Sequence, residues 1–452
     1  MSTELKRKTG FLYNLFADPD IIRLPPFLTP LQSLIALFIS KRRAPKSRAA
    51  YNSIGGGSPI LKYSNAQANL LAESLSHRYG IDAKTYVGMR YWYPFTEEAL
   101  ADIRKDKVNA LVIVPLYPQF SISTSGSSLR LLQEEFAKNP DVWGGRNDKG
   151  TKMTHTVIPA WYNRPGYVRA VADLVKTELD AFTDEQISEG RAGHVDGVPL
   201  HVLFSAHGVP QSYIEAGDPY QRQIKECVSL ISDLLPGEGE KGNGDVGFPD
   251  VRIHLSYQSR VGPIEWLRPY TDDVLPDLGK EGVKNIVVVP ISFVSEHIET
   301  LEEIDIEYRE LAEENGISNW RRCPALNTNP AFIGDMADMV YEALNEPIQS
   351  VTEACVANNV DLGDAVADVK GDISNAGVGG VGGEGLLSSK RAAASIVATT
   401  GLLAESTTAL KEAFEGGERF NGRLAMMGLL GTAALEYGCG QPVTHFLFGI
   451  ST

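Results

Sequence analysis

Residues 199–220 read P-L-H-V-L-F-S-A-H-G-V-P-Q-S-Y-I-E-A-G-D-P-Y, and the fold turns on how this stretch is read. Val202, Leu203 and Phe204 form an apolar run with the length and flanks of a buried strand. It ends in Ser205-Ala206-His207-Gly208-Val209-Pro210, where Gly and Pro stop an extended chain. His207 is therefore expected at the C-terminal edge of a strand, and in parallel α/β sheets ligands bind along that edge. On this stretch alone, a histidine that satisfies a turn is the simpler reading.

The region upstream answers to the region downstream. At a shift of 175 residues, Pro94-Phe95-Thr96-Glu97-Glu98 falls on Pro269-Tyr270-Thr271-Asp272-Asp273, Lys105 on Lys280, and Leu111-Val112-Ile113-Val114-Pro115 on Ile286-Val287-Val288-Val289-Pro290. The pattern predicts an α/β fold of two similar Rossmann-like halves with parallel sheets and the site in the cleft between them. Helices are expected over 65–78 and 97–105, strands over 85–91 and 109–114, and a helical stretch over 11–39 broken by Pro25, Pro26 and Pro30. The second half opens with the strand that carries His207. No apolar strand precedes the helical pattern at Phe11, so the first strand of the N-terminal half is expected to be missing.

Four segments follow: a first half over 1–165, a second over 166–347 whose last helix packs back on the first, a flexible linker over 348–410, and a C-terminal unit over 411–452. The linker assignment rests on seven glycines between 371 and 385. A net charge of −15 and a pI near 5.1 argue against nucleic acid as the main partner, since a phosphate backbone needs a basic footprint. Cys227, Cys323, Cys355 and Cys439 lie far apart without a C-x-x-C pair and are expected to be reduced thiols. The basic start of the chain resembles neither a secretory signal nor a complete transit peptide.

After the second strand-Pro unit, residues 291–308 read I-S-F-V-S-E-H-I-E-T-L-E-E-I-D-I-E-Y. By the repeat, this segment leaves the same sheet edge as His207 and enters a helix, with Ser295 as a reasonable cap. Glu299, Glu303 and Glu307 then fall on one helical face as an acidic ladder, which a solvated charged face would explain equally well. His207, His297 and Glu299 converging on one cleft suit Fe²⁺ or Zn²⁺, handled in transit rather than caged. Tyr117, Phe120, Trp266 and Phe293 lie on or near the same loops and together would suit a large flat substrate.

F-S-A-H-G-V-P with G-D-P-Y downstream, Y-Q-S-R-V-G-P-x-x-W and F-V-S-E-H-I-E-T-L-E-E-I-D-I-E-Y resemble the ferrochelatases, which insert Fe²⁺ into protoporphyrin IX to make protohaem. N-L-F-A-D-P-D, I-G-G-G-S-P, V-G-M-R-Y-W and L-Y-P-Q-F-S-x-S-T-S-G-S-S extend the resemblance over residues 11–346. It implies that His207 faces the porphyrin centre, with His297 and Glu299 on the opposite side and Glu303 and Glu307 continuing an acidic track for Fe²⁺ or protons. It places Trp266, Phe293, Phe120 and Ser127 on the porphyrin wall and Arg164 at a propionate. The family's opening strand and its N-L-G-G-P-type turn are the segment the repeat finds missing. Animal members carry a C-terminal cysteine set that Cys355 and Cys439 do not reproduce, so no [2Fe–2S] cluster and no permanently bound cofactor is expected.

Residues 418–437 read E-R-F-N-G-R-L-A-M-M-G-L-L-G-T-A-A-L-E-Y and resemble the chlorophyll-binding helix of light-harvesting proteins. That resemblance implies a membrane helix with Glu418 and Asn421 as chlorophyll ligands and Arg423 compensating charge; a plain anchor is equally open. One helix supplies half of such a pair, so a homodimer or a light-harvesting-like partner through Gly428 and Gly431 is expected. The tail points to the thylakoid membrane of a plastid, with the catalytic part in the stroma. Two functions fit the sequence: a ferrochelatase, and a catalytically impaired porphyrin- or chlorophyll-binding regulatory protein that lacks its first strand. Nickel or cobalt chelation of a related tetrapyrrole is a weaker third.

Overall fold

The computed structural model describes residues 10–360, apart from 20, 23, 25, 141, 145–152, 236–250, 261–263 and 359, together with the backbone of 394–400. The chain opens with helices α1 (Phe11–Phe16), α2 (Gln32–Ser53) and α3 (Ile60–Tyr79), a 3-10 turn (Pro26–Leu31) preceding α2. Then come β1 (Ala83–Met89), α4 (Thr96–Lys105), β2 (Ala110–Pro115), a π turn (Ile122–Gly126), α5 (Ser127–Ala137), β3 (Trp143–Gly144) and β4 (Met153–Val157). The second half runs through α6 (Pro165–Asp180), α7 (Asp184–Gly193), β5 (Leu200–His207), α8 (Gln211–Glu215), α9 (Tyr220–Ser232), β6 (Val251–Gln258), α10 (Thr271–Lys280) and β7 (Asn285–Pro290). A π-helix (Glu299–Tyr308), α11 (Arg309–Glu314), β8 (Asn319–Arg322), α12 (Pro330–Asn345), α13 (Val351–Ala357) and β9 (Ala394–Thr400) complete it.

Two all-parallel sheets result, ordered β1-β9-β2-β4-β3 and β6-β5-β7-β8. β2, β5 and β7 are buried along their whole length, which is why they read as continuous apolar runs rather than alternating ones. The repeat is structural: α4 and α10 are offset by the same 175 positions as β2 and β7. Met89 N–H donates to Pro94 O at 2.7 Å, and Tyr257 N–H to Pro269 O at 2.8 Å, so the turn after β1 is repeated after β6.

One core cluster takes side chains from both halves, among them Leu71, Val112 and Val114 from the first and Val202, Phe204 and Val287 from the second. α12 lies across this seam against α3 and α6, with Tyr341 stacked on Tyr79 at 3.9 Å and Asp338 paired with Arg78 at 2.7 Å. Within the span read as linker, α13 packs on the first half through Val351, Ala354 and Cys355, and β9 enters the first sheet. The glycine-rich run lies outside the described residues, as do Glu418, Asn421, Arg423 and the expected membrane helix. No described helix is long and apolar enough to cross a membrane.

Candidate active site

His207 ends β5, where the chain turns away through Gly208. A side chain at Gly208 has no room: a Cβ would lie 2.7 Å from the Gln258 carbonyl oxygen and 3.3 Å from the Trp266 ring. The glycine therefore lets Trp266 pack against the backbone beside His207, and a bridge between Pro210 and Trp266 ties the two loops together. His207 N–H donates to Ser292 Oγ at 2.9 Å, and the Tyr220 hydroxyl donates to the His207 carbonyl at 2.9 Å. The imidazole is thus fixed from its backbone outward.

The ring meets the segment after β7. His207 Nδ1–H donates to Glu299 Oε2 at 3.1 Å, leaving Nε2 as the nitrogen free to face a substrate. His297 reaches the same carboxylate oxygen from another side, with Nε2 at 3.8 Å, and its Nδ1–H donates to the Ser295 carbonyl at 3.1 Å. Phe293 sits edge-on to both imidazoles, 6.2 Å from His207 and 4.3 Å from His297 between ring centres. Glu299 is 1% exposed, and its other oxygen, Oε1, is buried with no hydrogen-bond partner among the described residues. Burial alone would raise this carboxyl, but the His207 and His297 imidazoles more than offset it and hold it down at about 2.

Glu303 is buried too, with the opposite outcome. Burial first, then the Glu299 charge, push its carboxyl well above the ordinary range, against hydrogen bonds from Ser259 at 2.7 Å and Tyr308 at 3.1 Å. Two neighbouring carboxyls are therefore shifted in opposite directions. Further out, burial and the neighbouring Glu307 raise Glu302 to about 7, while Lys46 opposes them. Glu307 reaches the rim, 3.9 Å from Lys46 of α2. The carboxylates thus run from Glu299, held low, through Glu303, held high, and Glu302, at about 7, to Glu307 at the rim.

The ladder's element is a π-helix, not the α-helix expected, and Ser295 does not cap it: its hydroxyl accepts from Gln67 Nε2 at 2.9 Å. A π-helix bonds i to i+5 and is wider than an α-helix, so residues four apart still share a face and the acidic alignment survives.

The expected porphyrin wall separates into two groups. Phe293 stands edge-on to both imidazoles, and Trp266 packs at Gly208, next to His207 in the chain. Phe120 is 0% exposed in the core of the first half, among Ile113, Leu129 and Val360. Ser127 lies at the same sheet edge but inside a buried polar knot: its hydroxyl donates to Asp18 Oδ2 at 3.1 Å and accepts from Arg90 Nε at 3.0 Å. Asp18 also binds Arg90 at 2.6 Å and Arg130 at 3.3 Å, so two guanidiniums share one carboxylate. Arg90 and Arg130 are not legible as site residues in the sequence, although Arg90 lies in the M-R-Y-W motif, because nothing local says which groups they meet across the fold. Arg164 does not join the site. Its guanidinium is committed to Asp335 at 2.9 Å and to Glu342 at 2.5 Å, in an open hollow between α3, α6 and α12.

Over 335 residues, 74% of this chain, it is 53% identical to Ferrochelatase-1, chloroplastic/mitochondrial, of Arabidopsis thaliana, spanning 66% of that protein's length. It is 53% identical over 337 residues to Ferrochelatase-2, chloroplastic, of the same plant, spanning 60% of it. Over 352 residues it is 52% identical to the ferrochelatase of a Nostoc species, covering 82% of that protein. The ferrochelatase family model matches residues 3–344, and the chain belongs to the ferrochelatase family.

Proposed function

We propose that this chain inserts Fe²⁺ into protoporphyrin IX to form protohaem, as a protoporphyrin ferrochelatase of haem biosynthesis. The observation that carries the reading is the Glu299 carboxylate, ionised, buried between two imidazoles, with Oε1 unbonded among the described residues. Metal insertion needs a group that accepts pyrrole protons at the ring centre and a donor that receives a dehydrated cation. With Glu299 holding Nδ1–H, His207 Nε2 serves as the proton acceptor, and the carboxylate stabilises the imidazolium that forms. Glu299 Oε1 and His297 Nε2 supply a hard oxygen donor and a borderline nitrogen donor for Fe²⁺ as substrate. Glu303, whose carboxyl burial raises, and Glu302, titrating at about 7, form an exit for protons toward Glu307 and solvent. Trp266 and Phe293 give the ring an aromatic wall, and Arg90 and Arg130 carry positive charge at the same edge for its carboxylates.

Fe²⁺ insertion into protoporphyrin IX by the full chain tests the proposal. His207→Ala is expected to abolish insertion while porphyrin still quenches tryptophan fluorescence. Wild-type turnover in that variant would overturn it. Porphyrin binding without turnover by the unaltered chain would favour the regulatory reading, and preference for Ni²⁺ or Co²⁺ with another tetrapyrrole would favour the third.

A plastid location draws on the chloroplastic names of the plant relatives. Association with the thylakoid belongs to the same proposal, with Leu34, Leu37 and Phe38 as apolar side chains exposed at helical spacing on α2. The chlorophyll ligands Glu418 and Asn421, with Arg423 from a second copy or a light-harvesting-like partner, remain part of the proposal for the tail.

A further inference from the structure

We infer that Asp218 is a positioning residue for His207, and that through it the first half of the fold sets the imidazole carried by the second. This role deepens the metal-insertion reading and rests on it, since His207 is there the acceptor of pyrrole protons. Asp218 is buried in the G-D-P-Y stretch, and its side chain takes donors from both halves. Oδ2 accepts from Ser121 Oγ–H at 2.9 Å and from Ile122 N–H at 2.8 Å, and Oδ1 accepts from Tyr220 N–H at 3.0 Å. One turn along α9, Gln223 Oε1 accepts from Phe120 N–H at 2.7 Å. The start of α9 therefore grips three consecutive residues, Phe120, Ser121 and Ile122, where the first half enters its π turn and, beyond it, reaches Ser127.

The same turn holds His207 on its other side. The Tyr220 hydroxyl gives its one proton to the His207 carbonyl at 2.9 Å, so the Ser292 hydroxyl is the donor to Tyr220 Oη at 2.7 Å, and Ser292 Oγ accepts from His207 N–H at 2.9 Å. Both backbone groups of His207 are thereby closed into one ring with two hydroxyls. Burial pushes the Tyr220 hydroxyl further above its ordinary value, so it keeps its proton and acts as a fixed donor rather than a relay. Gln119 returns the circuit to the first half, donating to the Ile291 carbonyl, next to Ser292, at 3.4 Å. All these residues are buried, where a satisfied network is rigid and a broken bond is costly. A shift of the Phe120–Ile122 strip is thus passed to the imidazole instead of being absorbed by side-chain freedom.

Two measurements on the full chain test this. Asp218→Asn turns one acceptor oxygen into a donor, and Tyr220→Phe, the milder change, removes a single hydroxyl. In each, kcat for Fe²⁺ insertion is expected to fall about tenfold with the porphyrin KM unchanged, because a small misplacement of a reacting group is costly in rate. Since both residues act along one path, the double variant should fall no further than the worse single variant. An unchanged kcat, a raised porphyrin KM alone, or losses that multiply overturn the assignment. The second measurement does not depend on turnover: in chain labelled with ¹⁵N-histidine, the His207 Nδ1–H resonance is assigned by its absence from His207→Ala. Asp218→Asn and Tyr220→Phe are each expected to shift or abolish it. An unmoved resonance overturns the role of Asp218 even if the unaltered chain inserts iron, whereas a moved resonance in a chain that inserts none supports the positioning and sinks only the metal-insertion reading.

Discussion

The contact between His207 and Glu299 makes a quantitative claim that stability measurements can check. A carboxyl that ordinarily titrates at 4.5 is held at about 2, so its charged form is favoured by about 3 kcal/mol in the folded state. His207 at 3.1 Å is the nearer of the two imidazoles, and a hydrogen bond to a charged group is worth about 1.5–3 kcal/mol, so about 2 kcal/mol is expected of this pair. The sign follows from linkage: the folded value is depressed, so the stabilisation is present above about 4.5 and is lost as pH falls toward 2. Integrated, the carboxylate's contribution is about 3 kcal/mol at pH 6 and about 1 kcal/mol at pH 3. His207→Ala, Glu299→Gln and the double variant form a cycle in which each protein is unfolded by urea at several pH values. The coupling energy should be about 2 kcal/mol at pH 6 and fall by at least half at pH 3. Additive single variants at pH 6, or a coupling that ignores pH, would refute an ionised Glu299 paired with His207.

Glu303→Gln swaps one neutral group for another, so folding near pH 4 should change little. Because the Glu303 carboxyl is raised in the folded protein, the wild type loses stability as pH climbs above about 4.5, and the variant should lack that slope in urea midpoints. The same variant should alter the pH profile and Fe²⁺ dependence of insertion, and an unchanged profile would remove Glu303 from the proton exit. Gly208→Ala forces a Cβ to 2.7 Å from the Gln258 carbonyl and is expected to cost about 1–3 kcal/mol and displace Trp266, visible as a changed tryptophan emission. Arg164→Ala should cost about 1 kcal/mol in thermal unfolding, after allowance for its partial exposure, and leave the porphyrin KM unchanged. A raised KM would restore the sequence-based expectation of a propionate contact.

What the sequence reveals here divides along a physical line. β2, β5 and β7 are legible because strands buried on both faces must be apolar throughout, and the repeat is legible because each half solves the same turn after β1 and after β6 with Pro94 and Pro269. Glu299, Glu303 and Glu307 are legible as a face because four-residue spacing survives the change from α to π winding. The different states of two adjacent glutamates are not, since they depend on whether an imidazole or a serine hydroxyl approaches across the fold: His207 is 92 residues from Glu299, and Ser259 is 44 from Glu303. Arg164 shows the converse, a residue whose type suits an anion and whose actual anions, Asp335 and Glu342, arrive on a helix 171 and 178 residues later. The gap read at the head of the first half was a statement about order along the chain, whereas a sheet needs only a strand in the slot. Order along the chain does not say which segment lies between β1 and β2, where the described residues place β9.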